Sequence, residues 1–579
     1  MNNSRSKPLR MCGLAAIMVA ASVVQQAPPL RAAILDDLPE VMSEELLGGD
    51  ELTQRVQRHL QSMGLYQGPA DGKMSKDLGE AIKRYQSMLG HKVDGTVTDK
   101  LLEHLDTQSK VGAMLNRLDS VRETNIESAR AALLKNEETR ALLEQNRNQE
   151  IADPTRDSTP CFRKPDEKCL LEEAIESAKA IHRSELRDWA FGEILVAQTK
   201  AGLTDDAIGT VRRIGDARLI IVALRDIARA HAQAGRIEQA LEAVQIIPDR
   251  FKQMEALAAI ADIQLKRDDG DGAHETATQA IAFATTLRNP LHQVSVLAQM
   301  GVILNKVGDP ESAQSALEEA QSLIRSSEVQ DQLNKLEKGA ALRHIAAAFS
   351  EIGQPTRALK LIEEVSGQFD RTAVLMSAAT SLANAGETES AMETAMKIKS
   401  GRYRSVVLGR IAVAYARQKN LDKAMDVIDE AMDTTNDVEL PYARSYAISQ
   451  LTHALIEIGT TIDKGLLPMA VDTAQEIEND RLRAFMLWSV SGVLADNGLK
   501  EAHDKAEKLA RDATDAIGSS LSQVWMLSDL ASEDLRRGRK DRAANAFNQG
   551  IVIAESIHNA WGRARALAKM ASTLSDISN

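Results

Sequence analysis

The strongest constraint on the fold is a pattern that recurs through residues 165–579. An apolar residue opens each predicted first helix, and three residues later another apolar side chain usually returns. Successive opening residues lie 33, 33, 40, 45, 33, 33, 40, 39, 40 and 40 positions apart. Spacings of this size fit one two-helix hairpin per repeat, so the chain predicts an all-α fold with an α-solenoid of about eleven two-helix repeats. The opening residues are Phe191, Leu224, Leu257, Leu297, Leu342, Leu375, Leu408, Ile448, Leu487, Leu527 and Leu567.

A glycine ends the first helix in many repeats, and an alanine follows five residues later. Glycine closes a helix in a left-handed conformation without a Cβ penalty, and alanine lets the second helix approach closely. We therefore assign a structural role to the corner glycines Gly202, Gly235, Gly308, Gly353, Gly386 and Gly538. Their alanine partners are Ala207, Ala240, Ala313, Ala358, Ala391 and Ala543.

The uneven spacing predicts two hairpin classes. Where the spacing is 33, an isoleucine or valine stands twelve residues after the corner glycine, as in Ile214 and Val365; in most longer repeats that position is alanine, as in Ala320. Seven added residues make two helical turns, so a longer second helix keeps the same buried face. The repeat of 39 residues places its extra residues in the corner between Gly459 and Gly465.

The glycine-to-alanine corner resembles tetratricopeptide repeats, although the aromatics usual in that family are mostly absent. The resemblance covers some 400 residues. It implies a right-handed superhelix that binds protein segments along a concave surface.

The composition adds two constraints. Aromatics are only 3% of the chain, so alanine and leucine must supply most of the packing. The net charge of −13 argues against a nucleic-acid partner.

A different pattern occupies residues 45–106. Asp-Gly pairs stand at 71–72 and 94–95, and a leucine follows each glycine by six residues, at Leu78 and Leu101. This is an internal pseudo-repeat of a loop followed by a helix. With a helical stripe before the first loop, the segment predicts a small three-helix domain.

These residues resemble the three-helix peptidoglycan-binding domain attached to many bacterial cell-wall hydrolases. The chain departs from the family at Met74-Ser75, where Phe-Gly is usual, and at Leu78 and Leu101, where threonine is usual. The matching features are Leu60, Gly64, Tyr66, Gly68, Asp71-Gly72, Ala81, Tyr85-Gln86, Val93-Asp94-Gly95 and Leu105.

The resemblance implies peptidoglycan as a partner. Aromatic faces stack on sugars, and amides or carboxylates bond hydroxyl and peptide groups. Two alternatives stay open. In the first, Asp71 and Asp94 only form turns and Tyr85 belongs to the core. In the second, the whole module is degenerate and is kept for structure or protein contact. The candidate binding residues are Tyr66, Asp71, Gly72, Tyr85, Gln86, Asp94 and Gly95.

The first 33 residues predict export. Arg5, Lys7 and Arg10 precede an apolar stretch too short to span a bilayer, which favours a cleaved signal peptide, a periplasmic location and no stable membrane anchor. Cys12 lacks the small preceding residues of a lipoprotein signal.

Residues 107–160 predict a helical linker that ends before Asp153-Pro154. Cys161 and Cys169 follow it. In an oxidising compartment they favour a disulfide, the alternative being two unpaired thiols; no histidine neighbours them, so no metal site is expected.

Arginines recur near the starts of first helices. Either they clasp the carbonyls or aspartates of the preceding turn, or they form a basic ladder for an acidic partner. The residues are Arg218, Arg250, Arg371, Arg402 and Arg481.

No hydrolase, metalloprotease or phosphate-loop motif occurs, so neither an enzyme nor a cofactor is expected. The sequence favours a periplasmic adaptor that binds peptidoglycan and unidentified envelope proteins. The alternative is a freely diffusing scaffold with a vestigial wall module. A cell-wall hydrolase with an unrecognised site is a third hypothesis, which the sequence supports less.

Overall fold

The computed structural model describes residues 49–88, 93–144 and 151–578. The predicted signal peptide, with Cys12, lies outside these ranges. The described part is helical and contains no β-strand, which confirms the all-α class. The described part of the chain divides into two compact units, with the boundary between Glu127 and Ser128.

The first unit contains the predicted three-helix module. Helices α1 (Gly49–Ser62) and α2 (Lys76–Met88) pack with the start of α3 (Asp99–Lys135) around a small core. Its fully buried side chains include Val56, Leu60, Leu78, Ile82 and Leu105.

The predicted linker is not one helix. Helix α3 continues far beyond residue 106, so no break marks the end of the module, and α4 (Glu137–Glu144) follows it. The two helices separate at Asn136, whose side chain accepts a hydrogen bond from the Glu138 N–H at 2.9 Å. This is the geometry of a helix N-cap, which explains the interruption.

The second unit consists of helical hairpins. After α5 (Thr159–Arg163) and α6 (Glu167–Lys179), the described residues contain eleven first helices and ten second helices that follow them. The first helices are α7 (Ser184–Lys200), α9 (Ala217–Gln233), α11 (Arg250–Lys266), α13 (Pro290–Lys306), α16 (Lys335–Glu351), α18 (Gln368–Asn384), α20 (Gly401–Arg417), α22 (Pro441–Thr461), α24 (Asp480–Asp496), α26 (Ser520–Arg536) and α28 (Ala560–Ser578).

The second helices form two length classes, as predicted. The short ones contain seven to nine residues: α8 (Thr204–Val211), α10 (Ile237–Gln245), α17 (Pro355–Leu361), α19 (Thr388–Met396) and α23 (Leu467–Gln475). The long ones contain fifteen or sixteen: α12 (Gly270–Ala284), α14 (Pro310–Arg325), α21 (Leu421–Asn436), α25 (Lys500–Asp515) and α27 (Lys540–Glu555).

Side-chain burial follows the same division. Ile214, Val365 and Ile477 are buried after short helices, and Ala320 is buried within a long one. The repeat spaced by 45 residues holds an additional helix, α15 (Ser327–Gln332).

The corner glycines adopt the left-handed conformation. Their φ angles lie between 74° and 90°, and the alanines that follow them are buried. Two other corners do the same without glycine: Asp268 has φ 59° and Lys419 has φ 63°. The glycine pattern could not reveal these corners, although Ala273 and Ala424 follow them by five residues and are fully buried.

The array closes on itself. Helix α28 packs against α7, so every first helix contacts a first helix on each side. Helix α28 also packs against α6, which lies where a second helix lies in the other hairpins. One continuous core accordingly contains Leu171 and Ile194 from the beginning of the array together with Leu567 and Met570 from its end. The second unit is therefore a closed ring and not the open superhelix that the resemblance implied.

Polar contacts reinforce the packing of α28 against α6 and α7. We call this closing contact the seam. Arg565 Nη2 lies 2.7 Å from Glu193 Oε1, and Arg565 Nε lies 2.9 Å from Glu193 Oε2. The same guanidinium carbon lies 4.7 Å and 4.5 Å from the ring centroids of Trp525 and Trp561. Lys200 Nζ lies 2.5 Å from Asp576 Oδ1. The seam thus combines apolar packing with charged pairs between residues far apart in the chain.

A disulfide lies beside the seam. Cys161 on α5 is joined to Cys169 on α6. Arg563 of α28 donates a hydrogen bond to Ser158 Oγ at 3.1 Å and stacks over the Phe162 ring. The disulfide therefore connects α5 and α6, and α28 contacts both of these helices.

Candidate functional site

The first Asp-Gly loop of the module is fastened to α1 by one glutamine. Gln57 Nε2 donates to Asp71 Oδ1 at 3.1 Å, and Gln57 Oε1 accepts from the Gly72 N–H at 2.8 Å. Gly72 has φ 77°, a conformation that strains any residue with a Cβ. The hydrogen bond from the backbone of Lys73, followed by the one from Gln57, lowers the pKa of Asp71.

The second loop repeats this arrangement on α2. Gln86 Nε2 donates to Asp94 Oδ1 at 2.8 Å, and Gln86 Oε1 accepts from the Gly95 N–H at 2.9 Å. The pseudo-repeat in the sequence therefore corresponds to two equivalent turns, each held by a helix glutamine. Sequence reasoning missed Gln57, because it precedes its aspartate by fourteen residues whereas Gln86 precedes its own by eight.

The two candidate aromatics lie in the core of the module. Tyr66 is 6% exposed and its hydroxyl donates to the Pro69 carbonyl, while Tyr85 is 5% exposed. Burial raises the pKa of the Tyr85 hydroxyl, which has no hydrogen-bond partner within the described structure. In this conformation neither ring offers an open face on which a sugar could stack.

Two apolar side chains beside the turns are accessible instead. Met74 follows the first turn and is 55% exposed, and Val93 precedes the second turn and is 51% exposed. Met74 occupies the position where the family usually has phenylalanine. The turns thus present a moderately apolar surface in which the polar groups of Gln57, Asp71, Gln86 and Asp94 are already engaged with one another.

The arginines near the starts of first helices have several roles. Arg371 donates to the carbonyls of Ile362 and Val365, which confirms the clasp at that position. Arg218 instead pairs with its own cap Asp216, and Arg250 contacts Gln253. Arg402 stacks on tyrosines, and Arg481 pairs with Asp529 of the next first helix.

The general clasp lies in a different register. Arginines or glutamines four residues before the opening residue donate to the carbonyl six residues earlier, which belongs to an apolar residue just beyond the end of the second helix. Since that carbonyl has no helical partner, the clasp satisfies it. The pairs are Gln253–Ile247, Gln293–Leu287, Arg371–Val365, Arg404–Ile398, Arg483–Ile477, Gln523–Ile517 and Arg563–Ile557.

One serine–histidine contact in the ring bears on the hydrolase alternative. Ser491 Oγ lies 3.0 Å from His503 Nδ1, but the Ser491 carbonyl oxygen lies 3.0 Å from the same nitrogen. A nitrogen that donates to this carbonyl has no lone pair for the hydroxyl proton. Ser491 is also fully buried, so it is not placed to attack a substrate.

Two searches cover only the described residues. In them, no group of three or more histidine, cysteine, aspartate or glutamate side chains could hold a metal ion. Within the same ranges, no helix combines the length and apolar character needed to cross a membrane.

Comparisons with known proteins identify one segment. Residues 49–105 match the family described as "Putative peptidoglycan binding domain", which agrees with the boundaries of the three-helix module. No curated protein matches the chain.

Two solved structures share some resemblance. Ton1535 from Thermococcus onnurineus NA1 is 18% identical over 56% of this chain and 98% of its own, with a TM-score of 0.26. A "circular tandem repeat protein with novel repeat topology and enhanced subunit contact surfaces" is 10% identical over 73% of this chain and 97% of its own, with a TM-score of 0.17. At these scores the likenesses carry no argument about this chain. The helical ring is therefore described from its own contacts, and residues 49–105 are the part of the chain that resembles a known family.

Proposed function

We propose that this protein is a non-catalytic adaptor of the bacterial envelope. It binds peptidoglycan through residues 49–105 and protein partners through the ring, and it acts in the periplasm. The observation that carries the proposal is the family match of the module, whose two turns keep the fold that the match implies. The disulfide between Cys161 and Cys169 supports an oxidising compartment.

The test is co-sedimentation with purified, protein-free peptidoglycan sacculi. The mature full chain is compared with a variant that lacks residues 49–98, because this deletion leaves α3 intact. We expect the full chain to sediment and the variant to stay in the supernatant, and soluble peptidoglycan fragments to release the full chain. Sedimentation of neither protein would contradict the proposed tether.

A second candidate is a freely diffusing periplasmic scaffold with a vestigial module. It is favoured by the internal engagement of the candidate binding residues, since Tyr66 and Tyr85 are buried and Asp71 and Asp94 are bonded within their turns. The same assay distinguishes the two candidate functions. If the protein is a freely diffusing scaffold, the full chain stays in the supernatant when sacculi are sedimented, while it still binds a protein partner.

A further inference from the structure

Exposed aromatic side chains concentrate on one sector of the ring. Phe369 is 66% exposed, Tyr442 is 67% exposed and Tyr446 is 37% exposed. They lie near the beginnings of the first helices α18 and α22. The first helix α20 lies between these two in the ring, and Arg402 and Tyr403 are its second and third residues. Three exposed aromatics in one sector are unusual in a chain that contains only 3% aromatic residues.

Direct contacts join several of these side chains, and Tyr442 lies about one helical turn before Tyr446 on α22. The Arg402 guanidinium carbon lies 5.2 Å from the ring centroid of Tyr403 and 5.1 Å from that of Tyr446, so it bridges α20 and α22. On the other side, Tyr403 and Phe369 line an open depression of about 540 Å³ together with Lys399. We call this surface the rim patch; it consists of Phe369, Lys399, Arg402, Tyr403, Tyr442 and Tyr446.

The rim patch carries positive charge that its surroundings do not neutralise. Neither Lys399 nor Arg402 has a carboxylate within ion-pair distance among the described residues, whereas nearby Arg343 pairs with Asp370 at 2.8 Å. The Nε of Arg402 is buried and makes no hydrogen bond within the described structure.

We propose that the rim patch docks an extended segment of a partner protein that carries carboxylates between large apolar side chains. Aromatic residues and arginine are the residue types most enriched at protein interfaces, and the uncompensated cations select an acidic partner. A neutral glycan fits less well, because the polar side chains of the patch are dominated by cations and not by the carboxylates and amides that bond sugar hydroxyls. The proposal rests on the proposed function, in which the ring binds proteins, and it names the surface and the chemistry.

The experiment selects binders from a phage-displayed library of random twelve-residue peptides on the mature full chain. Enriched peptides should combine aspartate or glutamate with leucine, isoleucine or aromatic residues. The tightest one, made synthetically, should bind at least tenfold more weakly to Arg402→Glu and to Tyr442→Ala, and more weakly in 500 mM salt. Arg410→Glu is the matched control, because Arg410 is exposed two turns further along the same helix and should leave the affinity unchanged.

Several outcomes would overturn the proposal. They are enrichment of basic or purely apolar peptides, no enrichment at all, and an affinity that Arg402→Glu leaves unchanged. Displacement of the peptide by soluble peptidoglycan fragments or by an oligonucleotide would assign the patch to that polymer, and a dimer abolished by Arg402→Glu would assign it to a second copy of the chain. If Arg402→Glu fails to fold by circular dichroism, the exposed Lys399→Glu replaces it. Failure here leaves the sacculus result untouched, so the two proposals can fail separately.

Discussion

The seam and an interior junction of the ring both join neighbouring first helices, but they do so through different ion pairs. At the junction between α13 and α16, the ion pair between the first helices is Lys306–Glu351, with atoms 3.7 Å apart and both side chains about half exposed. At the seam, Arg565 is almost buried and makes a bidentate pair with Glu193 between two tryptophans. The ion pair of the seam is therefore more buried than the one at this interior junction.

Chain connectivity accounts for the difference. Lys306 and Glu351 are 45 residues apart in the sequence, whereas 372 residues separate Glu193 from Arg565. Closing the longer loop costs about 2 kcal/mol more conformational entropy. The buried contacts at the seam offset this cost, so removing them is expected to have larger consequences than removing the exposed pair at the α13–α16 junction.

The largest effect is expected from Arg565→Ala. It leaves Glu193 partly buried without its partner and removes the cation between Trp525 and Trp561, which should lower the free energy of unfolding by about 3 kcal/mol. The control is Lys306→Ala, which breaks the half-exposed interior pair with Glu351 and should cost less than about 1 kcal/mol. Urea denaturation measures both values. Equal losses would show that the seam is not special.

Acid is expected to weaken an interior helix of the ring. Burial, followed by the charge of Arg343, lowers the pKa of His344 on α16 to about 4. Above pH 6.5 the histidine is neutral in both states, and as the pH falls the unfolded chain binds the proton first. Stability is thus lost between pH 6.5 and 4, by about 2 to 3 kcal/mol. Unfolding of the protein and of His344→Gln at several pH values tests this: the two curves should diverge with acid, and parallel curves would contradict it.

Removal of the disulfide should have a somewhat smaller effect. Cys161→Ser with Cys169→Ser opens a loop of about nine residues, which costs about 2.5 kcal/mol in the chain-entropy estimate. Thermal unfolding of this double variant should match that of the reduced protein. Because the disulfide lies beside the seam, the loss should exceed additivity in the Arg565→Ala background; simple additivity would mean that the disulfide does not support closure.

The smallest changes concern the hairpin corners. Gly353→Ala forces a Cβ into a left-handed corner and should cost about 1 kcal/mol, although no atom lies within 4 Å of the new carbon. Lys419→Gly relieves the same strain at a corner that lacks glycine and should stabilise by up to about 1 kcal/mol. Chemical denaturation measures both, and changes of the same sign would contradict the conformational explanation.

The hairpins were predictable because their rules are local. A corner glycine, an alanine five residues later and seven extra residues in the long helices each act within one repeat, so periodicity alone gave both hairpin classes. The closure was not predictable, because α6 resembles any other second helix in sequence and its partner α28 lies at the other end of the chain. Periodicity reports what each helix buries, but it does not report which distant helix covers it.

The module shows the same division between local and tertiary information. The two Asp-Gly turns follow from the sequence, but the glutamines that hold them do not: Gln86 was only a candidate binding residue, and Gln57 was missed because it is distant in sequence from Asp71. Tyr66 and Tyr85 were candidate ligand contacts because aromatic residues suit sugars, yet their burial is a tertiary property. Their role in peptidoglycan binding stays a prediction.

Ring closure is tested most directly by zero-length carbodiimide cross-linking of the monomer. Lys200 and Asp576 are in contact across the seam, and Lys306 and Glu351 serve as the interior control. The ring predicts an intramolecular Lys200–Asp576 link in peptide mass spectra, reduced in Arg565→Ala while the interior link remains. An interior link without any intramolecular seam link would show that the array is an open solenoid.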